Sequence, residues 1–515
     1  NLKLKEINAF AQSWNPGAKW VNFNPMISKN RFSREEYFYT VADNLYEFIE
    51  RSPKDYVIME CGGDLPPIYF VQHHRCHAAN AFFLSNFQKA AFLTADWQGE
   101  LECITKGLGN ANNLEVIDTQ WLPHSIGLFY ATFTQLLGYK PDNDEWKVMA
   151  LSAVDTNYRE YEKRILKTIN FLPNGNFELD QTYFTGTLLD QPNLFSEKFF
   201  PILDIDTELE KKNKDEIWQC KVAKAMQKVA EKIIWHILND LWEKTKVDSL
   251  VLSGGFFMNS VLNGKVEKNT PFKNVFISHS PDDSGNSIGA ALYVNHCILN
   301  FPRVKSNTQS NLGPSYSSKE IENSLKRRRI QFKILKNSEK EIAKLLYEEN
   351  IVAIFQGKIE FGDRALGYRS ILGDPRNSKT KDLINSMIKY RESYRPFAPA
   401  AIFEKAHEIF EVDKSYICEY MEKVVGVRKE WQKKIPAVTH FDGSARLQTV
   451  EKNKNKYFYN VINEFYKLSN IPVVLNTSFN VNGEPIVLSP DDALTTFFNS
   501  GLEYLILNKF LITKN

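Results

Sequence analysis

Between Glu216 and Trp242, the residues Val222, Met226, Val229, Ile233 and Ile237 recur three or four positions apart, while Lys and Glu fill the opposite face. That spacing predicts an amphipathic helix whose apolar stripe is core. Short apolar runs bounded by polar residues or glycine, at Val57–Cys61, Ala91–Ala95, Ser249–Leu252, Val275–Ser278 and Ile351–Phe355, predict strands. Strand-like and helical runs alternate along nearly the whole chain, the pattern of an α/β protein. Phe301–Ser318 breaks the pattern, being rich in Ser, Asn, Pro and Gly. It predicts a boundary between a domain of residues 1–310 and another of residues 319–515.

Composition narrows the class. A chain of 515 residues with 43% hydrophobic and 24% charged residues can bury several cores, which excludes disorder over most of its length. A formal net charge of +2 argues against coating nucleic acid through bulk charge, though it leaves room for a local groove. The run Lys326–Arg329 reads as a solvated helix end. Six cysteines without a CxxC pair predict a reducing, cytoplasmic compartment. No run approaches the roughly 20 apolar residues that span a bilayer, so no membrane partner is expected.

Candidate chemistry sits where predicted strands end. In FVQHHRCHAANAF, His73 and His77 are four apart, one turn on the same helix face, where they can share a metal. Asp96 follows one predicted strand and Asp283 another, at the carboxyl ends where α/β proteins bind ligands. Two His and a carboxylate suit ferrous iron, with zinc or manganese as alternatives. LVLSGGFFMNSVLNGK places Gly254 and Gly255 between a strand and a helix, a turn that can approach a phosphate. With SGNSIGAAL at Ser284–Leu292 it suggests a two-sided nucleotide cleft. In DNDEWKVM, Glu145 and Lys147 form a candidate positioning pair.

The second half is rich in cations set among Gly, Pro and aromatics. QGKIEFGDRALGYRSILGDPR and KYRESYRPFAPAAIF carry Lys358, Arg364, Arg369, Arg376, Lys389, Arg391 and Arg395. Arg matches phosphate oxygens with a planar fork, so the set suggests a polyphosphate or phosphorylated ligand. LNTSFNVNGE supplies Asn476, Thr477 and Ser478 after an apolar strand, a candidate anion nest. HFDGSAR adds a turn of mixed donors ending in Arg446.

Taken together, HHRCHAANAF, the DWQGE turn, SIGLFYATFTQLLGY, EWKVMAL, LSGGFFMNSVLNGK, PDDSGNSIGAAL, EFGDRALGYRSIL, RESYRPFAPA, HFDGSARLQTV and LNTSFNVNGEPIV closely resemble the O-carbamoyltransferases. The resemblance runs from about residue 70 to the end. It implies a sugar-kinase/actin-like duplicated domain followed by a domain similar to threonylcarbamoyl-adenylate synthases. It further implies that the second domain makes carbamoyl-adenylate from carbamoyl phosphate and ATP, with Mg(2+), and that the first passes the carbamoyl group to a hydroxyl. By motif position, His73, His77 and Asp283 are the implied ligands of Fe(2+), and Gly254, Gly255 and Asn259 the nucleotide turn. Arg364, Arg369, Lys389, Arg391, Arg395 and Arg446 fall on the implied phosphate-binding motifs, with Asn476 and Ser478 on the closing loop.

The acceptor hydroxyl needs a base, for which Asp96 and His124 are candidates, with Lys147 as a further catalytic candidate. A small-molecule acceptor ranks slightly above hydroxymethylpyrimidine DNA. Alternatives are a threonylcarbamoyl-type tRNA modifier and a nucleotide-binding regulatory protein with an inactive transfer site. Family members open with an HDSAA-like phosphate loop, which NLKLKEINAFAQSWNPGAKWVNFNP does not match. The chain starts at Asn1, not Met, so the loop is expected upstream or replaced.

Overall fold

The computed structural model describes residues 6–14, 66–187, 193–205, 215–305, 309–390 and 397–514. The expected strand at Val57–Cys61, together with Arg391 and Arg395, lies outside them. The chain divides into two units: Asn1–Ser152, Thr156–Asn259 and Lys265–Thr308 form the first, and Ala153–Asp155, Ser260–Gly264 and Gln309–Asn515 the second. Both are mixed α/β structures.

The first unit is built on a five-stranded sheet. Its strands are β1 (Lys89–Ala95), β2 (Glu102–Asn110), β3 (Asn113–Trp121), β4 (Ser249–Ser253) and β5 (Asn274–Ile277), in the order β3-β2-β1-β4-β5. β1, β2 and β3 pair antiparallel, whereas β1, β4 and β5 run parallel. Every residue of β1 after Lys89 is buried, because helices cover both faces of a central strand, and this is why KAAFLTA is continuously apolar instead of alternating. α1 (His73–Leu84) lays Ala78, Ala79, Ala81 and Phe82 over Phe92 and Val251 of the sheet.

α2 (Ile126–Leu136), α3 (Glu145–Leu151) and the long α4 (Glu216–Thr245) complete this unit with α5 (Asn286–Tyr293). The stripe predicted from Val222 to Ile237 is buried along α4. Asp215 starts this helix by accepting the Trp218 N–H at 2.8 Å, and Lys246, left-handed at φ 49, ends it. α4 also helps satisfy a buried cation. Lys106 of β2 is 1% exposed, and its ammonium donates to the Asn174 carbonyl and lies 3.3 Å from each of the Asp118 and Asp240 carboxylates.

The second unit carries an eight-stranded mixed sheet. In chain order its strands are β6 (Lys333–Ile334), β7 (Val352–Phe355), β8 (Arg369–Gly373), β9 (Ala398–Ile402), β10 (Gln448–Val450), β11 (Val473–Ser478), β12 (Tyr504–Leu507) and β13 (Phe510–Thr513). They are arranged β6-β13-β12-β7-β8-β11-β9-β10. A separate hairpin pairs Val424–Gly426 with Ser444–Arg446. The basic run predicted to be a helix end is one: Arg327 and Arg328 close the Ser318–Arg327 helix and pair with Asp491. Among the described residues no helix is long and apolar enough to cross a membrane.

The approach of α5 to α1 fixes where the two helices present their side chains. A Cβ on Gly289 would lie 1.9 Å from the Cys76 carbonyl oxygen, so only glycine permits the contact. Gly289→Val should therefore destabilise the first unit by about 1–3 kcal/mol through overpacking. The check is the first thermal transition followed by calorimetry, which should fall by several degrees.

Candidate active site

α1 begins without a local cap, since Gln72 makes no side-chain cap hydrogen bond. The Glu100 carboxylate takes that place from the turn after β1, accepting the His73 N–H with both oxygens at 3.1 Å. A carboxylate at a helix N-terminus is favoured by the exposed N–H groups and the helix dipole. Four-residue spacing then brings the His73 and His77 rings together, with centroids 4.6 Å and Nε2 atoms 3.0 Å apart.

Two carboxylates face those nitrogens. Asp96, just past β1, places Oδ2 at 3.1 Å from His77 Nε2 and 3.6 Å from His73 Nε2. Asp283, in the turn leading into α5, places Oδ1 at 3.3 Å from each. All four ligand atoms lie within 4.8 Å of one another. Burial alone would make the His77 imidazolium unfavourable, but hydrogen bonds and charge from Asp283 and Asp96 prevail and raise its pKa to about 9. Burial likewise opposes the Asp96 carboxylate, yet its contacts with His73 and His77 hold it well below the usual range.

His74 points away from this cluster. Its Nδ1 meets the Thr94 hydroxyl at 2.8 Å, and Nε2 donates to the Glu102 carbonyl at 3.0 Å. Burial, reinforced by the neighbouring imidazoles, pushes its pKa well down, so it packs as a neutral ring. Of the three histidines in HHRCH, only the pair on one helical face reaches the carboxylates.

The fit of a cation to this cluster can be tested on its donors. His77 Nδ1 faces the Ser253 hydroxyl at 3.4 Å, and that hydroxyl donates to the Pro281 carbonyl, which leaves Oγ to accept from Nδ1. Nε2 is then the nitrogen that would give up its proton to a metal and offer a lone pair. The Asn286 carboxamide lies 3.2 Å from His77 Nε2, and its buried Oδ1 has no partner. Two imidazoles and two carboxylates form a donor set that fits a divalent metal.

Other expectations about the first unit change. Asp96 was a candidate base, but its Oδ2 accepts the Gly255 N–H at 3.0 Å while facing the imidazoles, which makes it a fourth member of the cluster. His124 is anchored through Nδ1, which accepts the Leu179 N–H at 3.1 Å, and burial lowers its pKa. Glu145 and Lys147 do not pair, because positions two apart on α3 project in different directions. Lys147 meets Asp144 at 3.0 Å, and Glu145 accepts the Asp142 N–H.

The glycine turn has a different role from the one its sequence suggests. Gly254 has φ 103, and a Cβ there would lie 2.1 Å from the Ala95 carbonyl oxygen. A single 3-10 turn, Gly255–Met258, follows instead of a long helix, so the dipole argument for a bound phosphate loses its basis. Asn259 exchanges amide hydrogen bonds with Gln227 of α4 at 2.8 and 3.3 Å, and Tyr130 donates to the same Gln227. One turn further along α4, the buried Glu231 carboxylate lies between Lys228 at 2.9 Å and Lys265 at 2.5 Å. Glu231 fell on the face the sequence assigns to Lys and Glu, and Gln227 was not singled out, yet both are buried; their four-residue spacing was the available signal.

In the second unit the FGDRALGYR loop is clamped from two sides. The buried Glu360 carboxylate accepts the N–H groups of Leu366, Tyr368 and Arg369 at 2.7, 2.8 and 3.2 Å. The Arg369 guanidinium donates to the Gln356, Tyr368 and Gly357 carbonyls and stacks 3.4 Å from the Phe355 ring centroid. Arg369 is 0% exposed, and burial lowers its pKa to about 10, still cationic at neutral pH. Expected to bind phosphate, it is placed by the structure on the carbonyls of its own loop. Arg364, on the same loop, is half-buried.

Lys389 and Ser478 meet as a pair. The Lys389 ammonium donates to the Ser478 carbonyl at 2.6 Å and hydroxyl at 3.2 Å, and to the Asn480 side chain at 2.5 Å. Asn476, two residues back on β11, donates to the Ala365 carbonyl at 3.0 Å and to Gln448 Oε1 at 2.8 Å. Gln448 in turn holds the Leu366 carbonyl at 3.1 Å. Glu360 and Gln448 were not singled out from the sequence, although a lone Glu inside a Gly-rich basic loop is a signal for a carboxylate that grips backbone N–H groups.

Comparison with known proteins places this geometry in a family. A model described as Carbamoyltransferase N-terminus matches residues 5–292, and one described as Carbamoyltransferase C-terminus matches residues 343–514. The chain belongs to the carbamoyltransferase family. Among relatives of this carbamoyltransferase, an uncharacterised Synechocystis protein, sll1178, is 36% identical over 484 residues, covering 88% of this chain and 77% of that protein. Nodulation protein NolNO of Sinorhizobium fredii is 34% identical, with 88% of this chain and 65% of that protein covered. Nodulation protein NolO of Bradyrhizobium diazoefficiens is 33% identical, with 86% and 79% covered. The chain thus spans slightly less than two thirds of the Sinorhizobium relative.

The electrostatics of the histidine pair can be read directly in metal-free protein. His77, raised to about 9, contributes stability that is complete below its unfolded pKa of about 6.5 and is lost as pH rises through about 9. Asp96 contributes with the opposite sign: its share is present above the ordinary carboxylate range and is lost as pH falls through its lowered value. Nitrogen-15 spectra of chelator-treated protein should show one imidazole doubly protonated at pH 8, and Asp96→Asn should abolish that signal.

Proposed function

We propose that this carbamoyltransferase is an ATP-dependent O-carbamoyltransferase that activates carbamoyl phosphate as carbamoyl-adenylate and passes the carbamoyl group to an acceptor hydroxyl. The convergence of His73, His77, Asp96 and Asp283, in a chain of this family, carries the reading. The sheet order β3-β2-β1-β4-β5 is compatible with one half of an actin-like duplicated fold, and the second unit with an adenylate-forming domain. A small hydroxylated molecule is the acceptor class we favour, since the net charge of +2 gives no bulk attraction for DNA.

The chemistry divides between the units. In the second, water releases phosphate from carbamoyl phosphate to leave carbamate. One carbamate oxygen then bonds to the α-phosphorus of ATP as the bond to the β-phosphate breaks, releasing pyrophosphate. Arg364, Arg446 and Lys389 supply cations for the phosphates, with Mg(2+) accompanying ATP. Glu360 and Arg369 hold the loop that carries Arg364.

In the first unit, His73, His77, Asp96 and Asp283 would hold a divalent metal, Fe(2+) by preference. A bound metal supplies Lewis acidity toward a carbonyl or phosphate oxygen. Asp96 also aligns the glycine turn through Gly255, so the ligand set and the turn are held by one carboxylate. The Gln227, Glu231 and Asn259 group on and beside α4 offers polar contacts to the nucleotide part of the adenylate.

Two measurements test this. Pyrophosphate release from ATP should require carbamoyl phosphate and fall about 100-fold in Arg364→Ala, the effect of removing one preorganised anion-binding group. Release independent of carbamoyl phosphate would sink the assignment. Metal retained after dialysis, measured by mass spectrometry, should drop to background in a His77→Ala, Asp96→Ala double variant that still binds ATP. Full retention there would remove the cluster as the metal site.

A further inference from the structure

The hairpin strand Ser444–Arg446 runs through Leu447 into β10. Ala445 and Leu447 enter the hydrophobic core, which turns Ser444, Arg446 and Gln448 toward the opposite side. Gln448 is hydrogen-bonded to Asn476 of β11 and to the loop bearing Arg364. Two residues beyond Asn476, Ser478 holds Lys389. One polar line therefore connects Ser444 and Arg446 with the cations assigned to the phosphates.

His440 stands at the start of that line, and its contacts fix its tautomer. The Ser444 hydroxyl donates to Asp442 Oδ1 at 2.5 Å, so its oxygen accepts from His440 Nδ1, 3.1 Å away. With the proton on Nδ1, Nε2 carries a bare lone pair. That nitrogen is buried and has no hydrogen-bond partner. Burial, opposed by Asp442 and reinforced by Arg446 and Lys381, lowers the pKa to about 4, so the ring is neutral at physiological pH. An acceptor in a region of cations does not serve a phosphate, whose oxygens are themselves acceptors. It suits an N–H donor on the same ligand.

We infer that His440 Nε2 accepts a hydrogen bond from the amino group of the carbamoyl substrate, and so selects carbamoyl phosphate over acyl phosphates that carry a methyl group in place of that nitrogen. Asp442 and Ser444 act as positioning residues that hold the ring in the accepting tautomer. The inference rests on the proposed use of carbamoyl phosphate by this unit. It adds a residue that distinguishes the amide end of the ligand, whereas Arg364, Arg446 and Lys389 address its phosphate end.

The test compares carbamoyl phosphate as substrate with acetyl phosphate as competitive inhibitor of pyrophosphate release, using the full chain. In His440→Leu, kcat/KM for carbamoyl phosphate should fall roughly 10–100-fold, while the inhibition constant of acetyl phosphate changes less than about twofold. His440→Gln, whose Oε1 can accept in place of Nε2, should recover a large part of the loss. Equal weakening of both compounds, or no change in either, would overturn the inference and leave the functional reading standing. A wild-type chain that releases no pyrophosphate with carbamoyl phosphate would bring down both. His440→Gln also guards against misfolding of the leucine variant, since a flat ratio in a folded glutamine variant alongside a dead leucine variant counts against the inference.

Discussion

Imidazoles buried on a helix face must find compensating charge or remain neutral, and the first unit meets this constraint at His73 and His77. Their Nε2 atoms are 3.0 Å apart, so a protonated His77 beside His73 needs help from nearby negative charge. Asp96 and Asp283 provide that help from two different strand ends. The sheet order, the close packing of α1 on α5 and the capping of α1 by Glu100 all hold these pieces in place. Loss of Asp96 would leave the buried His77 without its nearest carboxylate, a cost of about 3 kcal/mol, whereas the largely exposed Asp283 contributes less.

The second unit solves a different problem, keeping an irregular basic loop rigid. Glu360 collects three backbone N–H groups, and Arg369 collects three carbonyls, so the donors and acceptors of one irregular loop are satisfied internally. This pairing shows an Arg of a basic motif holding its own loop. Its guanidinium is spent on the backbone, and the loop so fixed presents Arg364. Such division of labour between neighbouring arginines follows from geometry that a linear motif does not carry.

The sequence made some of this visible and hid the rest for definite reasons. Helical spacing located His73 and His77, and strand-end position located Asp283, because both periodicities survive in one dimension. The long amphipathic helix was legible from Val222 to Ile237 for the same reason. Asp96 was seen but given another role, since the spacing of residues 73, 77 and 96 says nothing about which atoms converge. Glu145 and Lys147 were paired on proximity in sequence, but helix geometry separates positions two apart. Glu100 caps a helix 27 residues before it, and no local pattern marks such a contact, whereas Gln227 and Glu360 left only weak signals in their spacing and loop context.

Neutral and charged imidazoles in the one chain show how environment, not residue type, sets the chemistry. His77 is drawn toward the cation by two carboxylates, while His74, one helical residue from His73, is held neutral by burial and by the two neighbouring imidazoles. His440 is neutral for a third reason, since burial and two nearby cations outweigh Asp442. The acceptor beside Nδ1 decides which nitrogen can offer a lone pair: Nε2 in His440, whose Nδ1–H meets the Ser444 hydroxyl, and Nε2 in His77, whose Nδ1–H meets Ser253, once a metal displaces its second proton. A serine that accepts from Nδ1 while donating elsewhere is thus used in both units to aim an imidazole lone pair inward. In the first unit that lone pair faces carboxylates and suits a metal; in the second it lies among cations and suits a neutral N–H donor.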